Sequence, residues 1–268
     1  MADPADGRVT ISPSGVVQMR PAGPAHDPAA LPRFALAPRN DIDQLRHTFA
    51  THGVVSVPDV LAEHSAMELY QHLRERQDWK QSIASGNSLV ELDRPTRASL
   101  SPEQARQLDD AVYAGARQHF QFRYETLRVP DAEAERRQSD DPLAAFALWW
   151  SSGEAREFLR QVTGEPAMAF ADAQATAYAP GDFLTEHTDD VDGKQRLAAY
   201  VLGLTPKWQV EWGGLLLIHG EGNREARALV PGFNRLNLFR VPRSHSVSEV
   251  TRVAPYRRYS ITGWLRTG

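Results

Sequence analysis

Two histidines and one aspartate in the second half of the chain could together bind a metal ion. His187 and Asp189 are two positions apart, so at the end of a strand their side chains would project to the same side. His245 starts a further predicted strand downstream. Two imidazoles and one carboxylate leave the other positions of a metal open, an arrangement typical of non-haem Fe(II) oxygen chemistry. A His-x-Asp pair is common by chance, so the prediction depends on its β context and on His245.

A second pair of residues could bind a carboxylate. Arg258 and Ser260 are also two positions apart in a predicted strand and would face one side, whereas Arg257 would face the other side and be exposed. A guanidinium pairs with a carboxylate through two charge-assisted hydrogen bonds, and the hydroxyl can add a third. This pair suits the distal carboxylate of 2-oxoglutarate, whose other end would chelate the iron. The alternative is a surface arginine followed by a capping serine.

The composition limits which metal sites and partners are available. The 268 residues include no cysteine, which excludes disulfides, thiolate metal sites and a cysteine nucleophile. The formal net charge of -4 does not suggest a nucleic-acid binder, which would normally carry a basic stripe. No apolar run is long enough to span a membrane, and the acidic N-terminus lacks the apolar segment of a secretory signal. We therefore expect a cytoplasmic protein.

The N-terminal half has the pattern of an arm followed by helices. Residues 1–38 are rich in Pro, Ala and Gly, and we expect a flexible arm with at most a short strand. The helical part is expected at about 40–165, where Ser101 and Gln104 form a capping box and Gly53 ends the first helix. The helices are predicted at 41–52, 58–77, 101–120, 142–150 and 153–162, with one strand at 54–58.

After Gly164 the sequence changes to short apolar runs separated by turn residues, which is typical of strands. Runs of this length and spacing predict an antiparallel β-sandwich or barrel of about eight strands, at about 166–266. We therefore predict an α+β protein in which residues 39–268 form a single domain, with helices preceding and flanking the β-core. The predicted strands are 168–178, 196–204, 213–219, 235–241, 245–250 and 257–265.

One segment without clear periodicity precedes the third predicted helix. Residues 82–97 form either a surface loop or a lid over the site. The tryptophans are expected to pack in the core or at its rim, with contact to substrate as the alternative for Trp208 and Trp212. The polar residues of the segment are Asn87, Arg94 and Arg97.

The candidate residues belong to four motifs whose order resembles that of a known enzyme family. The resemblance is to the prolyl 4-hydroxylase-like branch of the 2-oxoglutarate/Fe(II)-dependent dioxygenases, and within it to the ribosomal-protein prolyl hydroxylase group. It covers about residues 170–266, with a looser similarity at 52–61. The motifs are Tyr178-x-x-Gly181-Asp182-x-Leu184-x-x-His187-x-Asp189, Trp212-Gly213-Gly214-x-Leu216, His245-x-Val247 and Arg258-x-Ser260-Ile261-Thr262-Gly263-Trp264.

The resemblance implies a fold, a metal site and a reaction. The fold would be a double-stranded β-helix, a jelly-roll or cupin-like core. Fe(II) would be bound by His187, Asp189 and His245, and 2-oxoglutarate by Arg258. The enzyme would use O2 and 2-oxoglutarate, release succinate and CO2, and hydroxylate its substrate.

The resemblance also implies supporting roles near the co-substrate for Tyr178 and Ser260. One position departs from the family. Where many relatives have a Tyr-Leu pair on the strand after the His-x-Asp motif, this chain has Gly203-Leu204. The tyrosine hydroxyl that usually contacts the co-substrate is therefore missing, and we expect the pocket to be wider there or rebuilt with water.

The leading hypothesis is hydroxylation of a prolyl residue in a protein or peptide, with ascorbate as a stimulant and without a nucleic-acid or membrane partner. The same chemistry on a free amino acid or another small molecule is the alternative. From a different class, the triad could hold Zn(II) in a cupin-type hydrolase, or the chain could be a non-catalytic module. Arg258 with Ser260 favours the oxygenase, because a zinc hydrolase needs no buried anchor for a dicarboxylate.

Overall fold

The chain divides into two compact units, residues 1–33 and 34–268. In the first unit, strands β1 (Thr10–Ile11) and β2 (Val17–Gln18) pair antiparallel, and the other residues of the predicted arm up to residue 32 lie outside the described part of the chain. The second unit begins before residue 39, because Phe34 is buried in the main core. The computed structural model describes residues 10, 11, 17, 18, 33–86 and 88–267.

Seven helices occur in the described residues. They are α1 (Ile42–His52), α2 (Glu63–Glu75), α3 (Arg94–Ala98), α4 (Pro102–Ala116), α5 (Glu133–Gln138), α6 (Pro142–Trp150) and α7 (Gly153–Thr163). The predicted capping box of Ser101 and Gln104 starts α4, and Gly53, with a φ of 66°, ends α1. None of the described helices is long and apolar enough to cross a membrane.

The second unit also contains thirteen strands of one sheet. They are β3 (Val54–Val57), β4 (Lys80–Ser85), β5 (Ser88–Asp93), β6 (Phe122–Arg128), β7 (Phe170–Ala171), β8 (Gln174–Tyr178), β9 (Phe183–His187), β10 (Arg196–Gly203), β11 (Leu216–His219), β12 (Ala226–Leu229), β13 (Arg235–Arg240), β14 (His245–Val247) and β15 (Arg258–Arg266). Two 3-10 helices lie at Val210–Trp212 and Glu221–Asn223.

The order of these strands confirms the predicted α+β fold with a double-stranded β-helix core. The main path of the sheet is β12-β11-β14-β9-β6-β8-β15-β10-β13-β3, and every pairing along it is antiparallel. Strands from opposite ends of the β region are therefore neighbours: β8 lies beside β15, and β9 lies beside β14. This curled sheet brings residues close together that are far apart in the sequence.

Alternation along the central strands separates the core from a cavity. On β15, Ile261 and Leu265 are buried in the main hydrophobic core, which also contains residues of α1, α2, α6 and α7. Arg258, Ser260 and Thr262 lie on the opposite face of the strand and line a cavity. Because successive side chains of a strand point to opposite faces, one face is used for packing and the other is left for chemistry.

The segment 82–97 is not an irregular surface loop, and none of its described residues lines the cavity described below. Most of it forms the hairpin of β4 and β5, which joins the sheet through the pairing of β4 with β6, and Asn87 lies outside the described residues. Arg94 and Arg97 bind the fully buried carboxylate of Glu125 on β6, with nitrogen–oxygen distances of 2.9 and 2.6 Å.

Arg257 also belongs to this cluster. Its Nε lies 3.1 Å from the Glu125 carboxylate, and its side chain is 36% exposed, so the prediction of an exposed Arg257 is wrong. Burial raises the pKa of Glu125, but the hydrogen bond from Arg94 and the charges of the three arginines outweigh burial and lower that pKa. Glu125 thus fastens α3 and the start of β15 to the sheet.

We expect Glu125→Gln to lower the free energy of unfolding by about 3 kcal/mol, because it leaves three arginines without their buried carboxylate. Urea denaturation followed by circular dichroism measures this loss. The control is Glu103→Gln, whose carboxylate forms an ion pair with Arg106 in which both side chains are more than 60% exposed. It should change stability by less than about 0.5 kcal/mol. Equal effects of the two substitutions would contradict a fastening role for Glu125.

Candidate active site

Strand pairing brings the three predicted metal-binding residues together. In the antiparallel ladder of β9 and β14, His187 lies opposite His245. Asp189 follows β9 by two residues and has a φ of 64°, a left-handed conformation that aspartate tolerates better than most residues. Thus the sheet positions both imidazoles, and a local turn positions the carboxylate.

The distances within this cluster are compatible with a shared metal ion. The Nε2 atom of His187 lies 3.4 Å from Oδ1 of Asp189, and the Nε2 atom of His245 lies 3.3 Å from Oδ2. The two imidazole centroids are 4.1 Å apart. One ligand atom from each residue lies within 4.8 Å of the others, and no second group of this kind occurs among the described residues.

Backbone carbonyls orient both imidazoles. Nδ1 of His187 lies 3.0 Å from the carbonyl oxygen of Thr185, and Nδ1 of His245 lies 2.8 Å from that of Arg243. A carbonyl oxygen only accepts, so each Nδ1 must donate, which leaves the lone pair of Nε2 free for a metal. Outer hydrogen bonds of this kind fix the tautomer of metal-binding histidines.

The environment keeps Asp189 ionised. Burial raises the pKa of its carboxyl, but the facing imidazoles of His187 and His245 outweigh burial and hold that pKa well below its usual range. Nη1 of Arg196 donates to the backbone oxygen of Asp189 at 2.9 Å. The Arg196 guanidinium lies over the Trp264 ring, 3.5 Å from its centroid. Arg196 therefore helps to hold the turn that carries the carboxylate.

Arg258 lies in the same cavity as the His/Asp/His cluster. The cavity has a volume of about 380 Å³, and its lining includes all three cluster residues as well as Arg258. Arg258 is only 4% exposed, and its Nε and Nη1 atoms have no hydrogen-bond partner among the described residues. Burial lowers the pKa of this guanidinium. A buried cation without an acceptor is costly, so the site is suited to an anion.

Ser260 and Tyr178 also line this cavity. Arg258 pairs with Tyr178 in the ladder of β15 and β8, and the guanidinium carbon of Arg258 lies 5.2 Å from the centre of the Tyr178 ring. The hydroxyl of Ser260 lies 2.9 Å from that of Thr176 and shares a hydrogen bond with it. Burial raises the pKa of Tyr178 well above its usual value, so its hydroxyl stays protonated and can donate a hydrogen bond.

An aromatic wall on and just before β6 was missed by the sequence analysis. Phe120, Phe122 and Tyr124 line the cavity, and successive ring centroids lie 5.6 and 5.2 Å apart. Tyr124 stacks on Tyr178 at 4.8 Å, and Phe120, which is 49% exposed, lies 5.3 Å from the ring of His187. Alternation of aromatic residues from 120 to 124 was the available signal, but the predicted helix was extended to Phe120 and no strand was predicted after it.

The expectation that Gly203 widens the co-substrate pocket is wrong. Gly203 is not among the residues that line the cavity. It follows Ala199 and Val201 on the same face of β10, but a side chain at this position would overlap the backbone carbonyl of Gly232. The loop before β13 fills the space that a larger residue would need, which explains the glycine at this position.

Trp208 and Trp212 do not line the cavity but pack near Arg258. Their rings meet edge to face at 5.4 Å, and Nε1 of Trp208 donates to the Gly213 carbonyl. Gly214 has a φ of 61°, and a side chain there would press on Val250, Arg258 and Trp208. The tryptophans therefore support the wall behind the guanidinium, as a packing role predicts.

Comparisons with known proteins agree with this fold. Residues 173–266 match the model of the 2OG-Fe(II) oxygenase superfamily. No curated protein matches the chain in sequence.

Three solved structures resemble the chain at low sequence identity. A prolyl-4-hydroxylase from Pseudomonas putida shares 21% identity over 85% of this chain and 99% of its own, with a TM-score of 0.51. A 2OG-Fe(II) oxygenase family oxidoreductase from Burkholderia pseudomallei shares 12% over 87% and 93%, with a TM-score of 0.56. A prolyl hydroxylase from Trichoplax adhaerens, in complex with a peptide fragment of the hypoxia inducible factor oxygen degradation domain, shares 14% over 84% and 89%, with a TM-score of 0.54. At these identities, they support the fold alone.

We expect His187→Ala and His245→Ala each to weaken Fe(II) or Mn(II) binding by more than about 100-fold. This exceeds the 10- to 100-fold loss typical when a group that only orients a ligand is removed. Isothermal titration under anaerobic conditions measures the affinity. The control is His47→Ala, which removes an exposed imidazole on α1. Metal binding that survives both cluster substitutions would overturn the assignment.

Proposed function

We propose that this chain, whose β-core at residues 173–266 matches the model of the 2OG-Fe(II) oxygenase superfamily, hydroxylates a prolyl residue in a protein or peptide. The chain is an Fe(II)- and 2-oxoglutarate-dependent dioxygenase. The proposal concerns the substrate and the roles of individual residues. In it, His187, Asp189 and His245 bind Fe(II), and Arg258 binds 2-oxoglutarate with support from Ser260 and Tyr178.

The observation that carries the proposal is a metal-binding cluster and an unpartnered buried guanidinium in one cavity. A 2-oxo acid can chelate a metal through its keto and carboxylate oxygens, while its distal carboxylate accepts paired hydrogen bonds from Arg258. The donor set fits Fe(II), because two imidazoles and one carboxylate leave metal positions open for the co-substrate and O2. Bound Fe(II) supplies the oxidation, in which 2-oxoglutarate and O2 yield succinate, CO2 and a hydroxylated product.

The surrounding residues bind, orient and exclude water. Arg196 holds the turn of Asp189, so the carboxylate stays between the two imidazoles. Arg258 neutralises the distal carboxylate in a buried setting, where a charge-assisted bond is strong. The aromatic wall from Phe120 to Tyr124 lines the cavity with apolar surface and thereby limits the access of water to the reacting atoms.

Two of the similar structures support a prolyl substrate, since each is described as a prolyl hydroxylase and one contains a peptide. The aromatic wall also suits an aliphatic ring, which can pack against its apolar surface in the cavity. A free amino acid or another small molecule remains the alternative within the same chemistry. A Zn(II) hydrolase is disfavoured, because nothing in its reaction would use the buried guanidinium of Arg258.

Two finer expectations accompany this proposal. Ascorbate should stimulate turnover by returning oxidised metal to Fe(II). The reaction is expected to take place in the cytoplasm. A protein without cysteine needs no disulfide, so the reducing conditions there would not weaken it. Addition of ascorbate to the purified enzyme and imaging of a tagged chain test the two expectations separately.

We expect Arg258→Gln to raise the KM for 2-oxoglutarate by about 10- to 100-fold, since a hydrogen bond to a charged group is worth about 1.5–3 kcal/mol. Succinate formation at a series of 2-oxoglutarate concentrations measures this change. The matched control is Arg252→Gln, which removes an exposed guanidinium outside the cavity. An unchanged KM in Arg258→Gln would remove the support for a co-substrate role.

The prolyl substrate is tested by product analysis. Incubation with Fe(II), 2-oxoglutarate, O2 and prolyl peptides should add one oxygen atom to proline, which fragmentation mass spectrometry localises. Free proline and the other amino acids, tested in parallel, represent the small-molecule alternative. Oxygen found only on a free amino acid would refute the peptide assignment, whereas the release of succinate would still demonstrate the dioxygenase chemistry.

A further inference from the structure

We propose that the enzyme selects peptide substrates with an acidic side chain near the target residue, through a second cavity beside the active site. This inference rests on the proposed peptide hydroxylase function and adds the chemistry of the flanking residue. The second cavity has a volume of about 200 Å³. It lies at the ends of β6 and β15 and at the starts of β8 and β10, where Arg128, Lys194 and Arg266 are among its lining residues.

The two cavities are neighbours. They share the lining residues Gln174, Arg196, Thr262 and Trp264. Thr262, Trp264 and Arg266 follow one another on the same face of β15, so this strand runs from the wall of the active-site cavity to the second cavity. A peptide with its target residue in the first cavity would therefore place a neighbouring residue at the second.

The second cavity carries an excess of positive charge. Four cationic side chains and two acidic ones line it, although the whole chain has a net charge of -4. The two acids, Asp131 and Asp172, both lie near Arg266, at 3.1 and 3.7 Å from its Nη1. Asp172 also accepts a hydrogen bond from the backbone of Trp264 at 2.6 Å. The acids thus have partners of their own, and neither forms an ion pair with Arg128 or Lys194.

Two of these cations are available to a ligand. Lys194 is exposed, and no acidic side chain lies within ion-pair distance of it among the described residues. Arg128 is 62% exposed, and its only ion pair in the described part of the chain is a loose contact of 3.6 Å with Glu91. In addition, Nε of Arg196 is buried in the shared wall without a hydrogen-bond partner among the described residues. These groups are complementary to a carboxylate.

The length of strand involved indicates where the acidic residue would lie. From Trp264 in the shared wall to Arg266 in the second cavity is two strand positions, or roughly 7 Å at about 3.4 Å per residue. An extended peptide also advances by about 3.4 Å for each residue. The recognised Asp or Glu should therefore lie about two residues from the hydroxylated position. A C-terminal carboxylate at the same distance would present the same chemistry.

The test uses the full chain with a series of prolyl peptides that carry Glu, Gln or Lys at one to four positions on either side of proline. Peptides with an amidated and with a free C-terminus distinguish a side chain from a terminal carboxylate. We expect Glu about two positions from proline to lower the KM up to about fivefold relative to Gln, as for one partly exposed ion pair. Peptide binding without O2, in the presence of Mn(II) and 2-oxoglutarate, should show the same preference and weaken with salt.

Charge reversal provides the decisive comparison. Lys194→Glu should abolish the preference for Glu and favour the Lys peptide, while Lys207→Glu, which reverses an exposed lysine outside both cavities, should leave the preference unchanged. Lys207→Glu should also leave succinate formation in the absence of peptide unchanged. A preference that is missing in the wild type, or that persists in Lys194→Glu, overturns the inference. Succinate formation without oxidation of any peptide also overturns the inference, but it leaves the dioxygenase chemistry standing. Absence of succinate formation counts against the proposed function itself.

Discussion

The antiparallel pairing of β9 with β14 is the constraint on which the rest of the site depends. It places His187 opposite His245, and the turn after β9 then brings the Asp189 carboxylate within 3.4 Å of both Nε2 atoms. The carbonyls of Thr185 and Arg243 belong to the same two segments and orient both imidazoles. A slip of one residue in this register would turn one imidazole to the other face of the sheet, so the metal site and the register are a single structural feature.

β15 connects the functions that surround the metal site. Its inner face presents Arg258 to the cavity of the His/Asp/His cluster, Trp264 to the wall shared by both cavities, and Arg266 to the second cavity. The burial of Arg258 without a partner costs stability that a bound carboxylate would offset. We infer that β15 aligns the co-substrate, the target residue and the flanking residue of the peptide in one row. Selection of the substrate would then depend on the same strand that positions the reacting groups.

The opposite face of the sheet explains why this polar site can exist in a stable protein. Residues such as Tyr200, Ile261 and Leu265 are buried against the helical layer, where Trp150 packs 6.0 Å from Tyr200. Full burial of each large apolar side chain contributes about 1.5–3 kcal/mol. That packing offsets the cost of charged groups inside the cavity, and the Glu125 cluster fastens the β4–β5 hairpin and α3 to the same framework.

The sequence by itself determined the fold class, the helix caps, the candidate residues in His187-x-Asp189, His245 and Arg258-x-Ser260, and part of the sheet, but the predicted strands did not include β4, β5, β6, β9 or β12. These features depend on residue type and on periods of two or about four residues, which are local properties. Tertiary structure alone decided that the aromatic residues before Glu125 form a wall, that Arg257 joins the buried ion-pair cluster, and that a loop fills the space beside Gly203. The second cavity was likewise decided by tertiary structure alone. Its lining comes from the ends of four strands, and only the pairing of those strands determines which side chains meet.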